Sequence, residues 1–163
     1  MLFWTDTNPH RDAVSFLRLH GELTGPLIGT EQEYLSSFSK ADAALVGASF
    51  DGSFENLERG SRLKVIARFG SGFDNIDVNA ATQLGICVIR TPSAPVISVS
   101  EFTLGLMLSL ARRIGVGDRR LRAGQWPPNT LTSGTDLREK VLGVVGLGRI
   151  GARVAMLGAA SVQ

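Results

Sequence analysis

The chain has 163 residues, enough for one sizeable core or for one domain plus part of another. Hydrophobic residues make up 44% and charged residues 20%, and the formal charge of +2 is too small to point to nucleic acid as a partner. One cysteine excludes an internal disulfide framework. No stretch reaches about 18 apolar residues and the start has no basic leader, so no membrane span or secretory signal is expected and the cytoplasm is the default location.

Residues 1–5 read as a first strand. Asp6-Thr7-Asn8-Pro9 follows as a turn, with Pro9 suited to a helix start. Residues 11–19 carry apolar side chains at Ala13, Val14, Phe16, Leu17 and Leu19, a helical pattern ended by Gly21. His10 and His20 flank that helix and are expected as surface or capping residues. Thr30-x-x-Glu33 is a capping box, which predicts a helix from near Glu31 to about Ser39. Ala43–Val46 is a short apolar run, expected as a buried strand, and Phe54–Arg59 a short helix stopped by Gly60. Residues 64–69 are a further strand, Gly70-Ser71-Gly72 a loop, residues 77–84 a helix ended by Gly85, and residues 86–89 a strand. Cys87 lies in the apolar run Ile86-Cys87-Val88-Ile89 and is expected to be a buried, inert thiol. Strand and helix alternate, so a parallel α/β sheet with right-handed connections is expected.

Thr91-Pro92-Ser93-Ala94-Pro95 is a prolyl, turn-rich linker and sets a domain boundary between residues 1–94 and 95–163. Ser98-Val99-Ser100-Glu101 is a second capping box, predicting a helix over residues 99–113. Leu104, Leu106, Met107, Leu108 and Leu110 make that helix apolar nearly all round, so burial on several sides is expected. Gly115 and Gly117 are expected to break it, with a second helical piece over residues 118–123 and a loop over residues 129–136. Five arginines lie between Arg112 and Arg122. Asp118 interrupts them and no aromatic residues interleave, so they read as a solvated helix end or an interface rather than a nucleic-acid patch.

The last stretch, Val141-Leu142-Gly143-Val144-Val145-Gly146-Leu147-Gly148-Arg149-Ile150-Gly151, reads as a buried strand over residues 141–145, then G-x-G-x-x-G, then a helix over about residues 152–160. In a dinucleotide-binding turn Gly146 permits the tight turn, Gly148 lets backbone approach a pyrophosphate, and Gly151 lets helix and strand pack closely. The helix N-terminus supplies free N–H groups and positive dipole to the phosphates. An ordinary glycine-rich turn of an α/β protein has the same pattern. The acidic residue that such a fingerprint expects about 20 residues further on would lie beyond Gln163.

Several ordered motifs resemble those of the D-isomer-specific 2-hydroxyacid dehydrogenases. They are Ala67-Arg68-Phe69-Gly70-Ser71-Gly72-Phe73-Asp74-Asn75-Ile76-Asp77, Gly85-Ile86, Thr91-Pro92, Ser98-Val99-Ser100-Glu101-Phe102-Thr103, Ala111-Arg112-Arg113, Gly124-Gln125-Trp126 and the glycine motif. The resemblance covers nearly the whole chain. It implies a flavodoxin-like, parallel-sheet substrate domain followed by the truncated start of a Rossmann NAD(P)-binding domain, with the active site in the cleft between them. It implies NAD or NADP as cofactor, a small 2-hydroxy or 2-oxo acid as substrate, no metal, and a homodimer formed through the helix of residues 99–113.

By the same resemblance, backbone N–H groups of Gly70, Ser71 and Gly72 hold the substrate carboxylate and Ser71 also lies near the nicotinamide. Taken alone, that loop reads equally as a strand-to-helix turn with Asp74, Asn75 or Asp77 capping the next helix. Val99 and Thr103 match positions that line the nicotinamide side, although periodicity alone makes Val99 plain core. Gly146, Gly148, Arg149, Ile150 and Gly151 match the pyrophosphate turn. The family often has Asn where this chain has Pro95 and His where it has Phe102. Its catalytic Arg, Glu and His lie downstream of Gln163, so none is assigned here and the chain alone is expected to be inactive. The alternative is a non-catalytic dinucleotide-binding or dimerisation module that pairs with a full-length homologue.

Overall fold

The computed structural model describes residues 1–26, 30–126 and 133–159. The chain divides into two compact units, Met1–Ala94 and Pro95–Gln163.

The first unit holds β1 (Leu2–Thr5), α1 (Arg11–Arg18), β2 (Glu22–Thr24), α2 (Glu31–Phe38), β3 (Ala43–Val46), α3 (Phe54–Arg59), β4 (Val65–Arg68), α4 (Val78–Gln83) and β5 (Cys87–Arg90). The strands form one sheet in the order β2-β1-β3-β4-β5, and every pairing is parallel. This is the flavodoxin-like order that the resemblance implies. β2 has no counterpart among the expected strands, because three residues are too few to show a period. Both halves of the first capping box are made: Glu33 N–H donates to Thr30 Oγ1 at 3.4 Å and Thr30 N–H to Glu33 Oε2 at 2.9 Å.

Trp4 is fully buried at the centre of the core. Its register partner on β3 is Ala44, whose small side chain leaves room for the indole. Trp4 meets Tyr34 and Phe38 edge to face at 4.8 and 5.0 Å, and its Nε1–H donates to Ser37 Oγ at 2.9 Å, so the one polar atom of the ring is satisfied. Cys87 is exposed, contrary to expectation. It lies on an edge strand where Ile86 is buried and Val88 packs on the core, so alternation turns Cys87 and Ile89 the other way.

The second unit holds α5 (Val96–Ala111), α6 (Ile114–Arg122) and α7 (Arg149–Ala159), with α5 packed against α7. Several expectations are corrected here. α5 starts at Val96 with Pro95 as its N-cap, and Ser98 Oγ donates to Pro95 O at 3.3 Å, so the second capping box is not used. The helix breaks at Arg113, which takes a left-handed φ of 52°, and Gly115 and Gly117 lie inside α6. α5 is not buried on several sides: Phe102 is 66% and Leu110 83% exposed, and of its residues only Ser100 is buried. Residues 141–145 form no strand, because no described segment offers them a ladder and a lone strand cannot satisfy its backbone. They keep the strand's alternation. Leu142 and Val144 are half-buried, while Val141 and Val145 are 97% and 104% exposed. The expected loop over residues 129–136 is described only from Ser133 onward, and residue 160 of the last expected helix lies outside the described residues.

Candidate functional site

Two regions, one in each unit, carry the residues singled out above. In the first unit the chain leaves β4 at Arg68, and Phe69 N–H still donates to Val46 O at 3.0 Å. Gly70 then takes φ 108°, a conformation that side chains rarely adopt, and a Cβ there would lie 2.6 Å from Arg68 Nη1. The loop is tied to the end of β5. Gly70 N–H donates to Thr91 Oγ1 at 2.8 Å, and Gly70 O accepts from Thr91 N–H at 3.0 Å. Arg90 Nη1 donates to Ser71 O at 2.6 Å, and its guanidinium lies 5.0 Å from the ring centroid of Phe73.

Of the three amides in the loop, that of Gly70 is therefore engaged by Thr91. Those of Ser71 and Gly72 have no acceptor among the described residues. Two adjacent unpaired amides on a tied loop are candidate donors to an anion. The capping alternative holds for other residues of the same segment. Asp77 Oδ1 accepts from Ala80 N–H at 2.9 Å and caps α4, and Asn75 Nδ2 donates to Gly47 O and Phe50 O at 3.2 and 2.8 Å.

Sequence reasoning passed over the charged residues around this loop. Asp6, just past β1, accepts from Gly47 N–H at 2.8 Å. Burial raises its pKa above the usual 3.8, while the Gly47 bond, its own amide and the charge of Arg68 pull the other way. The Tyr34 hydroxyl is pushed up to about 12, first by burial and then by the charges of Asp6 and Asp51. Arg68 Nε is buried with no hydrogen-bond partner. Arg68 and Arg90 are register partners at the ends of β4 and β5. The signal that would have found them is charge at the carboxyl ends of parallel strands, where such sheets bind ligands. His10 caps α1 by accepting from Asp12 N–H at 3.4 Å, and the exposed His20 stacks on Phe16 at 4.7 Å.

In the second unit the glycine motif forms a turn into α7. Gly146 takes φ 88°. A Cβ on Gly151 would lie 2.0 Å from Gly146 O, so only glycine lets the helix start pack on the turn. A Cβ on Gly148 would meet nothing within 4 Å, so packing within the chain does not require glycine there. The first backbone bond across the helix start is Ala152 N–H to Gly148 O at 2.9 Å. The amides of Arg149, Ile150 and Gly151 precede it and point out of the helix end. An open glycine next to unpaired helix amides fits a pyrophosphate. On α5, Thr103 Oγ1 donates to Val99 O at 2.7 Å, and the two residues are one turn apart on the same face. Among the described residues no group of three His, Cys, Asp or Glu side chains is arranged to hold a metal. No helix among them is long and apolar enough to cross a membrane.

The sequence profile described as D-isomer specific 2-hydroxyacid dehydrogenase, catalytic domain, matches residues 5–160. The D-3-phosphoglycerate dehydrogenase of Methanocaldococcus jannaschii is 42% identical over 91% of this chain and 28% of its own length. The crystal structure of the TT0316 protein from Thermus thermophilus superposes with a TM-score of 0.91 at 32% identity, over 98% of this chain and 53% of that one. The D-lactate dehydrogenase of Aquifex aeolicus, solved with NAD and lactic acid, gives a TM-score of 0.80 at 29% identity, over 98% and 48%. The chain thus spans about half the length of these solved relatives and less of the curated one.

Proposed function

The chain belongs to the D-isomer specific 2-hydroxyacid dehydrogenase family, and from that premise we propose that the protein carrying it moves a hydride between NAD or NADP and C2 of a small 2-oxo or 2-hydroxy acid. The observation that carries this reading is the fixed loop with its two unpaired amides, Ser71 and Gly72. These amides hold the substrate carboxylate through charge-assisted bonds, and Gly70 gives the loop its shape. Ser71 borders the nicotinamide. The unpaired amides of Arg149, Ile150 and Gly151 hold the pyrophosphate, with Gly148 leaving room for it and Gly146 making the turn. Val99 and Thr103 line the nicotinamide side. The bound nicotinamide supplies the hydride chemistry, and the protein supplies position and electrostatics.

Residues 1–94 act as the substrate domain and residues 95–163 as the start of the cofactor domain. His10 and His20 make their contacts at the two ends of α1, so neither histidine serves the loop as its acid–base group. Alone, the chain is expected to show no turnover and only weak dinucleotide binding. The exposed apolar residues Ile97, Phe102, Leu106 and Leu110 of α5 are covered by a second subunit in a homodimer. The test is a screen of the full protein with 2-oxo acids and both reduced cofactors. No loss of the reduced nicotinamide's absorbance with any pair would sink the proposal.

A further inference from the structure

We infer that the site takes an acid with a single anionic group, an unphosphorylated 2-oxo or 2-hydroxy acid, and discriminates against one that carries a second, phosphate, anion. The inference rests on the carboxylate reading of the Gly70-Ser71-Gly72 loop.

Ligands of a parallel sheet lie at the carboxyl ends of its strands. The charges at that edge are unevenly placed. The two guanidinium groups there, Arg68 and Arg90, both serve the loop. Arg68 lies under Gly70, and Arg90 donates to Ser71 O and stacks on Phe73. The positive field is therefore concentrated where one carboxylate sits. The segments after β1 and β3 are different. Residues 6–9 and 47–53 contain Asp6 and Asp51 and no Lys or Arg. Asp6 accepts from Gly47 N–H at 2.8 Å and Asp51 from Ser53 N–H at 3.0 Å, so each is held by a backbone amide. Asp74 lies beside the loop itself, with Oδ2 3.4 Å from the Cβ position of Gly72. At the start of α1, His10 and Arg11 face Asp12 at 3.4 and 3.7 Å. The segment after β5, Thr91-Pro92-Ser93-Ala94, has no charge.

A phosphate monoester carries about −1.5 to −2 charge and is recognised by Arg or Lys donors arranged around it. Here a second anion, reaching beyond the loop, meets Asp6 and Asp51 instead. Arg68 lies under Gly70 and Arg90 is bonded to Ser71, so both cations stand at the loop, and the segments after β1 and β3 contribute none. The 42% identity to a phosphoglycerate enzyme therefore does not bring its substrate with it.

The test compares hydroxypyruvate with 3-phosphohydroxypyruvate, which differ only by the phosphate, as substrates of the full protein. Like charge across a binding surface costs enough that kcat/KM for hydroxypyruvate is expected to be higher by about tenfold or more. Asp51→Asn is expected to raise kcat/KM for the phosphorylated acid several-fold and so narrow the ratio. A phosphorylated acid used equally well or better overturns the inference while leaving the dehydrogenase reading intact. So does a ratio that Asp51→Asn leaves unchanged, since another feature would then set it. No turnover with either acid, nor with glyoxylate or pyruvate, fails the dehydrogenase reading and the inference with it.

Discussion

Gly148→Ala separates a glycine kept for a ligand from one kept for the fold. Gly148 has no positive φ, and a Cβ there meets nothing within 4 Å. Alanine can take the same backbone conformation, and the freedom it removes from the unfolded chain offsets its poorer fit at the start of α7, so the variant should be within about 1 kcal/mol of the parent. Dinucleotide binding should suffer. A phosphate oxygen must come within about 3 Å of the helix amides, and the new methyl stands in that approach. Losing one such charge-assisted bond, at about 1.5–3 kcal/mol, weakens binding roughly ten- to a hundredfold. Gly151→Ala makes the contrast. Its Cβ would lie 2.0 Å from Gly146 O and 3.1 Å from Gly146 C, which are backbone atoms that cannot swing aside. Relieving that overlap should cost about 1–3 kcal/mol. Urea unfolding of the full protein and calorimetric titration with NAD and NADP read the two quantities separately. A Gly148→Ala variant destabilised by more than about 1 kcal/mol, with cofactor affinity unchanged, would refute the reasoning.

Gly70→Ala puts a side chain at φ 108° and against Arg68 Nη1, so the loop must move at a cost of about 1–3 kcal/mol; KM for the oxo acid should rise while cofactor affinity holds, and unaltered kinetics would detach this loop from the substrate. Trp4→Ala empties the centre of the core and should cost about 3–5 kcal/mol by urea unfolding; a loss within about 0.5 kcal/mol would contradict the packing described. Asp42 accepts from Leu2 N–H at 2.7 Å and from Arg62 Nη2 at 2.9 Å, and these bonds hold its pKa below the usual 3.8. A depressed folded pKa gives stability that is present above the unfolded value and lost as the pH falls through the folded one. Asp42→Asn should therefore flatten the acid side of the thermal-stability profile, and a variant that loses stability with acid as steeply as the parent would exclude that role.

The first unit was the more legible in sequence because its elements carry their own signals. Ala43–Val46 and Phe54–Arg59 have the expected bounds, since an apolar run and a glycine stop are both local. Thr30 and Glu33 announce α2 through bonds that the two residues make with each other. Parallel pairing follows once strand and helix alternate, whereas the strand order rests on the flavodoxin-like resemblance. What stayed hidden depends on neighbours. Cys87 is exposed because β5 is an edge, and residues 141–145 form no ladder because no partner strand is described beside them. The start of α5 was misplaced because Ser98 and Glu101 imitate a cap while Pro95 ends the preceding turn. At the candidate site, glycine spacing singles out residues 146–151, while residues 70–72 are singled out by the resemblance. Which amides are unpaired depends on Thr91, about 20 residues away along the chain, and local pattern does not reveal such a partner.

The most direct measurement of hydride transfer is the fate of a label. The full protein is incubated with hydroxypyruvate and a reduced nicotinamide cofactor deuterated at C4, and the product is examined by NMR. The account predicts deuterium at C2 of a D-2-hydroxy acid, with the hydroxyl proton drawn from water. Product that forms without deuterium at C2 from either face of the labelled cofactor, or no product from this or any other 2-oxo acid, would contradict it.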